Sequence, residues 1–494
     1  MTGNLFLGLD VGTQGTKGLV VDSDRGDVIA RASSPYDLIP GLAPGAAEQH
    51  PETWIGAVRS VVQSLLDKEK VDPKRIAGVG VSGQQHGFVA LDRNDEVIRP
   101  AKLWCDVSTS SEARELSERY GRLVPTGYTA SKILWMKRRE PENFGRLRWV
   151  LLPHDYVNLR LTGRKTMEPG DASGTGFFNP RLRKFNRDEM EQIDPQLPGM
   201  LPELLPSSAP AGRISPEAAR DVGLLEGTLV SSGGGDNMMS AIGSGATRPG
   251  VVVVSLGTSG TVFTYSESPV IDPDGLVAPF CDSTGGWLPL LCVMNVTGVT
   301  EEIREAFALV RSSDLEELTD EASRVAPGCE GLMLLPYLRG ERVPDLPEAT
   351  ATLLGLRPGL LRPSILFRAA IEATSLNLGW GADRMRELGI EVHAVRLVGG
   401  ASGNSLWQRV LADVLSAPVH VIREPESAAL GAAIQACWAV ALASGHATTA
   451  DKIAGRFVRT TDRVIEPQAD SVAFYRELGE RFRKEVERIY ARQR

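Results

Sequence analysis

The feature that most constrains this 494-residue chain is a Gly/Thr turn that occurs twice. Asp10-Val11-Gly12-Thr13-Gln14-Gly15-Thr16 lies over Ser255-Leu256-Gly257-Thr258-Ser259-Gly260-Thr261, about half the chain further on. Each copy follows an apolar run, Leu5 to Asp10 and Val251 to Ser255, and leads into another. Self-similarity at this spacing marks a repeated architecture. It predicts two similar α/β lobes, residues 1–246 and 247–494. The boundary falls among the turn formers Gly243-Ser244-Gly245 and Arg248-Pro249-Gly250.

Local patterning agrees. Leu5 to Asp10, Gly18 to Asp22 and Val28 to Ala32 alternate with turns and read as an antiparallel meander. Pro51 to Leu66 has proline at its start and apolar residues at helical spacing, so it reads as a helix. Ile76 to Ser82 returns to strand. Gly78-Val79-Gly80-Val81-Ser82-Gly83 matches a dinucleotide fingerprint in letters only, because its glycines fall inside the strand. Pro198 to Gly212 reads as a surface excursion. Ser471 to Arg494 reads as an amphipathic helix packed on a lobe. Ala428 to Ala443, interrupted by Gln435, is short for a membrane span and reads as a buried helix.

Composition excludes several partners. The formal net charge is −8, which disfavours nucleic acid or an anionic membrane surface. The five cysteines include no C-x-x-C pair, so neither a disulfide framework nor a zinc site is expected. Met1 to Gly12 carries no basic-then-apolar leader, and the expected compartment is the cytoplasm.

The chemistry concentrates at strand ends. In the first turn, Gly12 and Gly15 let backbone N–H groups approach an anion, Thr13 and Thr16 add hydroxyls, and Lys17 adds charge. Asp10, acceptor-only when ionised, suits Mg²⁺ or its bound waters. The second turn lacks acid and lysine; Thr258 is its candidate hydroxyl. In Gly233-Gly234-Gly235-Asp236-Asn237, Asp236 stands where a helix begins, either as an N-cap or as a general base. Val398-Gly399-Gly400-Ala401-Ser402-Gly403-Asn404 is either a tight strand-to-helix turn or a seat for a flat ligand, with Asn404 able to pair with a base edge. Ser82-Gly83-Gln84-Gln85-His86-Gly87 offers mixed donors and acceptors suited to sugar hydroxyls. Trp104 with Asp106 adds an apolar face and an acceptor, although a lone Trp is core by default.

Taken together, these segments resemble the FGGY carbohydrate kinases over nearly the whole chain. The opening D-V-G-T-Q-G-T-K is similar to that family's phosphate loop. Glu48-Gln49 with Pro51 and Trp54, Lys132-Ile133-Leu134-Trp135, and Leu152-Pro153-His154-Asp155-Tyr156 resemble further family segments. So do Gly234 to Asn237, Ser255 to Gly260, Pro336 to Arg342 and Ala428 to Ala433. The resemblance implies two RNase H-like lobes around a cleft, as in actin, hexokinase and the Hsp70 ATPase. It implies ATP and Mg²⁺, with a ketopentose as acceptor, D-xylulose first; the alternatives are another ketose or polyol, such as ribulose or a pentitol, or a non-catalytic ATP-gated clamp. By resemblance Asp236 is the general base and Asp10 serves the metal through water. Gly12, Thr13, Gln14, Lys17, Gly257 and Thr258 hold phosphate; Gly399, Gly400 and Asn404 border adenosine. Gln85, His86, Trp104, Asp106 and Asn237 hold the sugar. Gln85 stands where relatives carry Met, and Cys105 where they carry Asn. A homodimer is left open.

Overall fold

A computed structural model describes residues 4–308 and 314–490. Strands Leu5–Val11, Gly15–Asp22 and Asp27–Pro35 form the expected antiparallel meander. Ile76–Gly83 joins the opening strand in parallel, Leu229–Ser231 joins Ile76–Gly83 in parallel, and Pro210–Arg213 closes the edge antiparallel. The second sheet repeats this plan. Gly250–Leu256, Gly260–Thr264 and Trp287–Val293 meander. Val392–Val398 and Val419–Ile422 follow in parallel, and Thr460–Ile465 closes antiparallel. Ala278–Cys281 extends the opposite edge. The order third-second-first-fourth-fifth in both sheets is the duplicated α/β lobe that the repeat predicted.

The duplication is not residue-perfect. Val11 pairs with Thr16, so the first turn spans four residues; Leu256 pairs with Gly260, so the second spans three. Asp10 faces Lys17, whereas Ser255 faces Thr261. Thr261 therefore stands in the sheet position of Lys17, not of Thr16 as the ungapped overlay had it.

Pro198 to Gly212 is also more than a surface excursion. Met200, Leu205 and Ser207 are buried, and Pro210–Arg213 is a sheet strand. Its proline is tolerated because the strand is an edge.

The helix Pro51–Asp67 covers one face of the first sheet with Trp54, Val58, Val61 and Leu65. The other face is covered from the second half of the chain. The helix Ser427–Ala443 lies on the strands Leu5–Val11 and Ile76–Gly83, and its alanines 429, 432, 433 and 436 are buried. Glycine on the sheet makes this approach possible. A Cβ on Gly8 or Gly80 would stand 1.9 Å from the carbonyl oxygen of Ala429 or Ala432. The glycines of the Gly78–Gly83 strand thus seat a helix rather than a dinucleotide.

The same helix crosses the helix Asp236–Ser244 at two further glycines. A Cβ on Gly243 would meet Ser427 O at 1.8 Å, and one on Gly431 would meet Met239 O at 1.8 Å. Gln435, the polar interruption in the apolar run, is fully buried. Its Oε1 accepts from Gly233 N (2.9 Å) and Ser231 Oγ (2.8 Å), while its Nε2 donates to Gly233 O (3.1 Å). It grips the loop that leads to Asp236. No helix among the described residues is long and apolar enough to cross a membrane.

Gly431→Ala should therefore cost about 3 kcal/mol through forced separation of two backbones. Gly455→Ala, in a helix with nothing within 4 Å of the new Cβ, should instead gain about 0.5–1 kcal/mol. Denaturant unfolding of the two variants checks the contrast, and equal effects would contradict the seam.

Candidate active site

The strand ends bring the predicted residues to one crevice. Asp10 pairs in register with Ser82, and Ser82 pairs with Gly234, two residues before Asp236. Ser82 Oγ donates to Asp10 Oδ1 at 2.7 Å. The second lobe reaches the same point: Thr261 Oγ1 donates to Asn237 Oδ1 at 3.0 Å, three residues beyond Thr258. Gly399, with φ +90°, sits where a Cβ would lie 2.7 Å from Leu256 O, and Ala401 N bonds that same oxygen. The 399–401 loop thus borders the second turn directly. Thr258 and Gly400 are exposed at this edge.

Asp236 begins its helix, and Gly235 occupies the cap position. The N-cap reading is thereby removed: the carboxylate accepts from the N–H and Nδ2 of the next residue, Asn237, at 2.8 and 3.0 Å. Burial pushes its pKa to about 7, with Asp10 and Asp171 adding repulsion and Asn237 opposing. Burial likewise lifts Asp10 to about 6, against the pull of Ser82 and Lys17 and with a further push from Glu426. Two desolvated carboxyls that repel each other, opposed only in part by Lys17, are a donor set that suits a divalent cation. Among the described residues no group of three or more His, Cys, Asp or Glu side chains is arranged to hold a metal ion. Mg²⁺ keeps waters and substrate oxygens and takes one or two protein carboxylates, which Asp10 and Asp236 could supply.

Beside Asp236, Gln85 Oε1 accepts from Asn237 Nδ2 at 2.9 Å, while Gln85 Nε2 is buried with no partner among the described residues. An unpaired buried donor is costly and points to a missing acceptor. His86 is held neutral chiefly by burial, with Lys132 and Arg342 nearby adding to the effect. Its ring stacks on Tyr128 at 4.5 Å and lies 5.9 Å from Phe280 of the second lobe.

Several expected contacts are spent elsewhere. Asp106 is fully buried: Oδ2 takes Ala47 N (2.9 Å) and Lys102 Nζ (3.0 Å), and Oδ1 takes Ser108 N (3.0 Å) and Oγ (2.5 Å). It braces the wall and has no atom left for a sugar. Asn404 caps the helix Ser405–Leu415 through Trp407 N (3.0 Å) and donates to Thr319 (2.9 Å), so its base-pairing role is withdrawn. Trp104 gives its indole N–H to Thr13 Oγ1 (2.9 Å), and Thr13 donates on to Gln84 (3.0 Å). That hydroxyl belongs to the foundation of the turn, with Gln49 bonding Thr13 O at 2.7 Å. Gly12 N–H closes on Gly15 O (3.0 Å) and Gly257 N–H on Ser259 O (3.1 Å), so neither is directed at a phosphate. Gln14 is exposed on the first turn, and Lys17 pairs with Glu426 at 2.7 Å with half its side chain in solvent.

Sequence reasoning missed a buried cluster behind Asp236. Burial works against a charged His154, but Asp155 (3.0 Å) and Asp171 (2.5 Å) on its two ring nitrogens outweigh it and raise its pKa to about 9. Glu168 accepts from Ser207 (2.5 Å) and from Ser283 of the second lobe (2.9 Å). The family segment around His154 was its only sequence signal; Tyr128, Phe280 and Ser283 had none.

Two similar lobes, paired turns at adjoining strand ends and the buried carboxyls of Asp10 and Asp236 beside them are the arrangement of a phosphotransferase of the two-lobed ATPase fold. The comparisons agree. Residues 5–243 match the N-terminal domain, and residues 252–440 the C-terminal domain, of the FGGY family of carbohydrate kinases. A xylulose kinase of Haemophilus influenzae is 40% identical over 451 residues, covering 88% of this chain and 90% of the relative. A solved structure from Brucella ovis, described as a xyloylose kinase, superposes with a TM-score of 0.90 at 30% identity and covers 99% of both chains. A gluconate kinase structure from Lactobacillus acidophilus gives 0.89 at 25% identity, covering 99% of this chain and 98% of its own. The chain belongs to the FGGY family of carbohydrate kinases, with sugar and ATP as its substrates.

The Asp236 carboxyl makes a stability prediction. Its ordinary value, kept in the unfolded chain, is near 3.8, and burial in the fold pushes it up to about 7. Between these values the folded state holds the extra proton, so stability falls as pH rises through that window. Asp236→Asn removes the titration. Its melting temperature should exceed the parent's by about 2 °C or more at pH 8 and converge with it towards pH 4. Scanning calorimetry across that range checks the sign; a pH-independent offset would contradict it.

Proposed function

We propose that this kinase phosphorylates a ketopentose, D-xylulose, to D-xylulose 5-phosphate, with lobes 1–246 and 247–494 holding sugar and nucleotide respectively. The reading rests chiefly on Asp236. It lies between Asp10, on the phosphate side, and the Gln85–Asn237 pair, on the sugar side. Xylulose kinases among the relatives support the choice of sugar.

The sugar lies against Gln85, His86 and the Trp104 face. Asp236 takes the proton of the terminal hydroxyl as that oxygen attacks the γ-phosphorus in line and the bond to ADP breaks. Gly257 and Thr258 border the phosphates at the second turn, and Gly399 and Gly400 border the adenosine. Lys17 is free to exchange Glu426 for phosphate because the pair is half in solvent. Asp10 would hold Mg²⁺ through water, and the ion would neutralise phosphate charge. Most of the catalysis is positioning and electrostatics. All five cysteines are free, which supports a reducing compartment such as the cytoplasm.

A coupled ADP-release assay tests the reading with D-xylulose, ribulose, pentitols and gluconate in parallel. D-xylulose should give the highest kcat/KM, rising with pH through about 7 as Asp236 ionises. Asp236→Ala should lose about 10²–10⁴-fold in kcat while still binding an ATP analogue. ADP release indifferent to every sugar, or a near-normal Asp236→Ala rate, would refute it.

A further inference from the structure

His86 adopts a left-handed backbone, φ +63°, which a residue with a Cβ holds only against steric strain. Two donors hold it there. Its carbonyl accepts from Lys132 Nζ at 2.6 Å and from Thr129 Oγ1 at 3.2 Å. Lys132 Nζ also donates to Gly127 O at 2.6 Å. One ammonium group thus joins two turns that are separate in the chain. The first carries His86 and the second leads into Tyr128, and their rings stack.

Lys132 is an expensive way to fill that space. It is fully buried on the helix Thr129–Arg139 and makes no ion pair among the described residues. Asp106, the acid nearest in effect, is already bonded to Lys102 at 3.0 Å. Burial lowers the lysine's pKa to about 7; Asp106 and Cys105 oppose this, while Lys102 and Arg342 add to it. An apolar side chain would fill the volume without desolvating a cation. It could not bond two carbonyls at once.

We propose that Lys132 is a positioning residue for sugar recognition, clamping the His86 and Gly127 carbonyls so that the His86 ring stands fixed beside Gln85. This rests on the reading of that wall as the sugar side of the site. Lys132 touches neither substrate. It acts through His86, so its removal should affect the sugar and spare the nucleotide. Gly174 closes the wall from behind, where a Cβ would lie 2.0 Å from His86 Nδ1.

The test is Lys132→Met in the full-length enzyme, read by steady-state kinetics and by hydrogen-exchange mass spectrometry. The KM for D-xylulose should rise about tenfold, with the KM for ATP and the slow sugar-independent ATP hydrolysis within about twofold of the parent. In a His86→Ala background the same substitution should add less than about twofold, because coupled residues are non-additive. Exchange should quicken at residues 84–88 and 126–129 together, and not in the helix Pro51–Asp67. Thr129→Val, which removes only the second donor to the His86 carbonyl, should shift the sugar KM in the same direction by less. It carries the test if Lys132→Met fails to fold. An equal rise in both KM values, full additivity with His86→Ala, or unchanged exchange in the two turns would overturn the clamp. If no sugar stimulates the parent enzyme, the functional reading fails instead, and the exchange experiment still decides the clamp.

Discussion

The helix Ser427–Ala443 touches the first sheet and the Asp236 helix backbone to backbone, and the rest of the site depends on that contact. Gly8, Gly80, Gly243 and Gly431 each lie where a Cβ would come within 2 Å of a carbonyl oxygen. Interiors are close-packed and deform little, so a helix seated this tightly has one position. That position carries Gln435 to Gly233, and Gly233 leads directly to Asp236. The Asp236 carboxyl contributed by the first half of the chain is therefore held in place by a helix from the second half. Either half alone would leave the acid unplaced.

Electrostatics follow from the same packing. Asp236 and Asp10 sit at the ends of strands two apart in one sheet, and both are desolvated. The buried cluster of Asp171, Asp155, Glu168 and His154 lies behind them. A carboxyl that ionises near 7 destabilises the empty enzyme at neutral pH and is well matched to taking a proton there.

The fold was legible because the repeat was. Two Gly/Thr turns after apolar strands suffice to predict two meanders and two lobes, and the alternation of turn and apolar run places the strands. The site was legible at its backbone and less so at its side chains. Asp10 and Asp236 come together at neighbouring strand ends, Gln85 bonds Asn237 beside them, and His86 stacks on Tyr128. Asp106 and Asn404 could not be judged from neighbours in sequence, because what occupies them is Lys102 and Ala47 in one case, Thr319 and a helix end in the other. Polar residues beside a site look alike in sequence whether they face the ligand or brace the wall. Only the partner list separates them. Lys132 shows the converse: the sequence marks it only as part of a family-like segment, and its full burial against two carbonyls gives it a place in the wall.

The asymmetry between the two copies shows how a duplicated fold acquires a division of labour. The first turn has four residues, an acid before it and a lysine across the hairpin; the second has three, with serine and threonine in those positions. Shortening the turn by one residue moves Thr261 into the place of Lys17. From there its hydroxyl reaches Asn237 in the other lobe. The copy without charge thus spends its hairpin residue on contact with the base segment. The charged copy keeps Asp10 and Lys17 at the crevice, Lys17 half in solvent. A phosphoryl group passing between the lobes would meet carboxylate and lysine from one side, and hydroxyl and backbone from the other. A symmetric pair of turns would have put two acids against the same phosphate. With Ser255 in that place, the second turn adds no carboxylate to those of the first lobe.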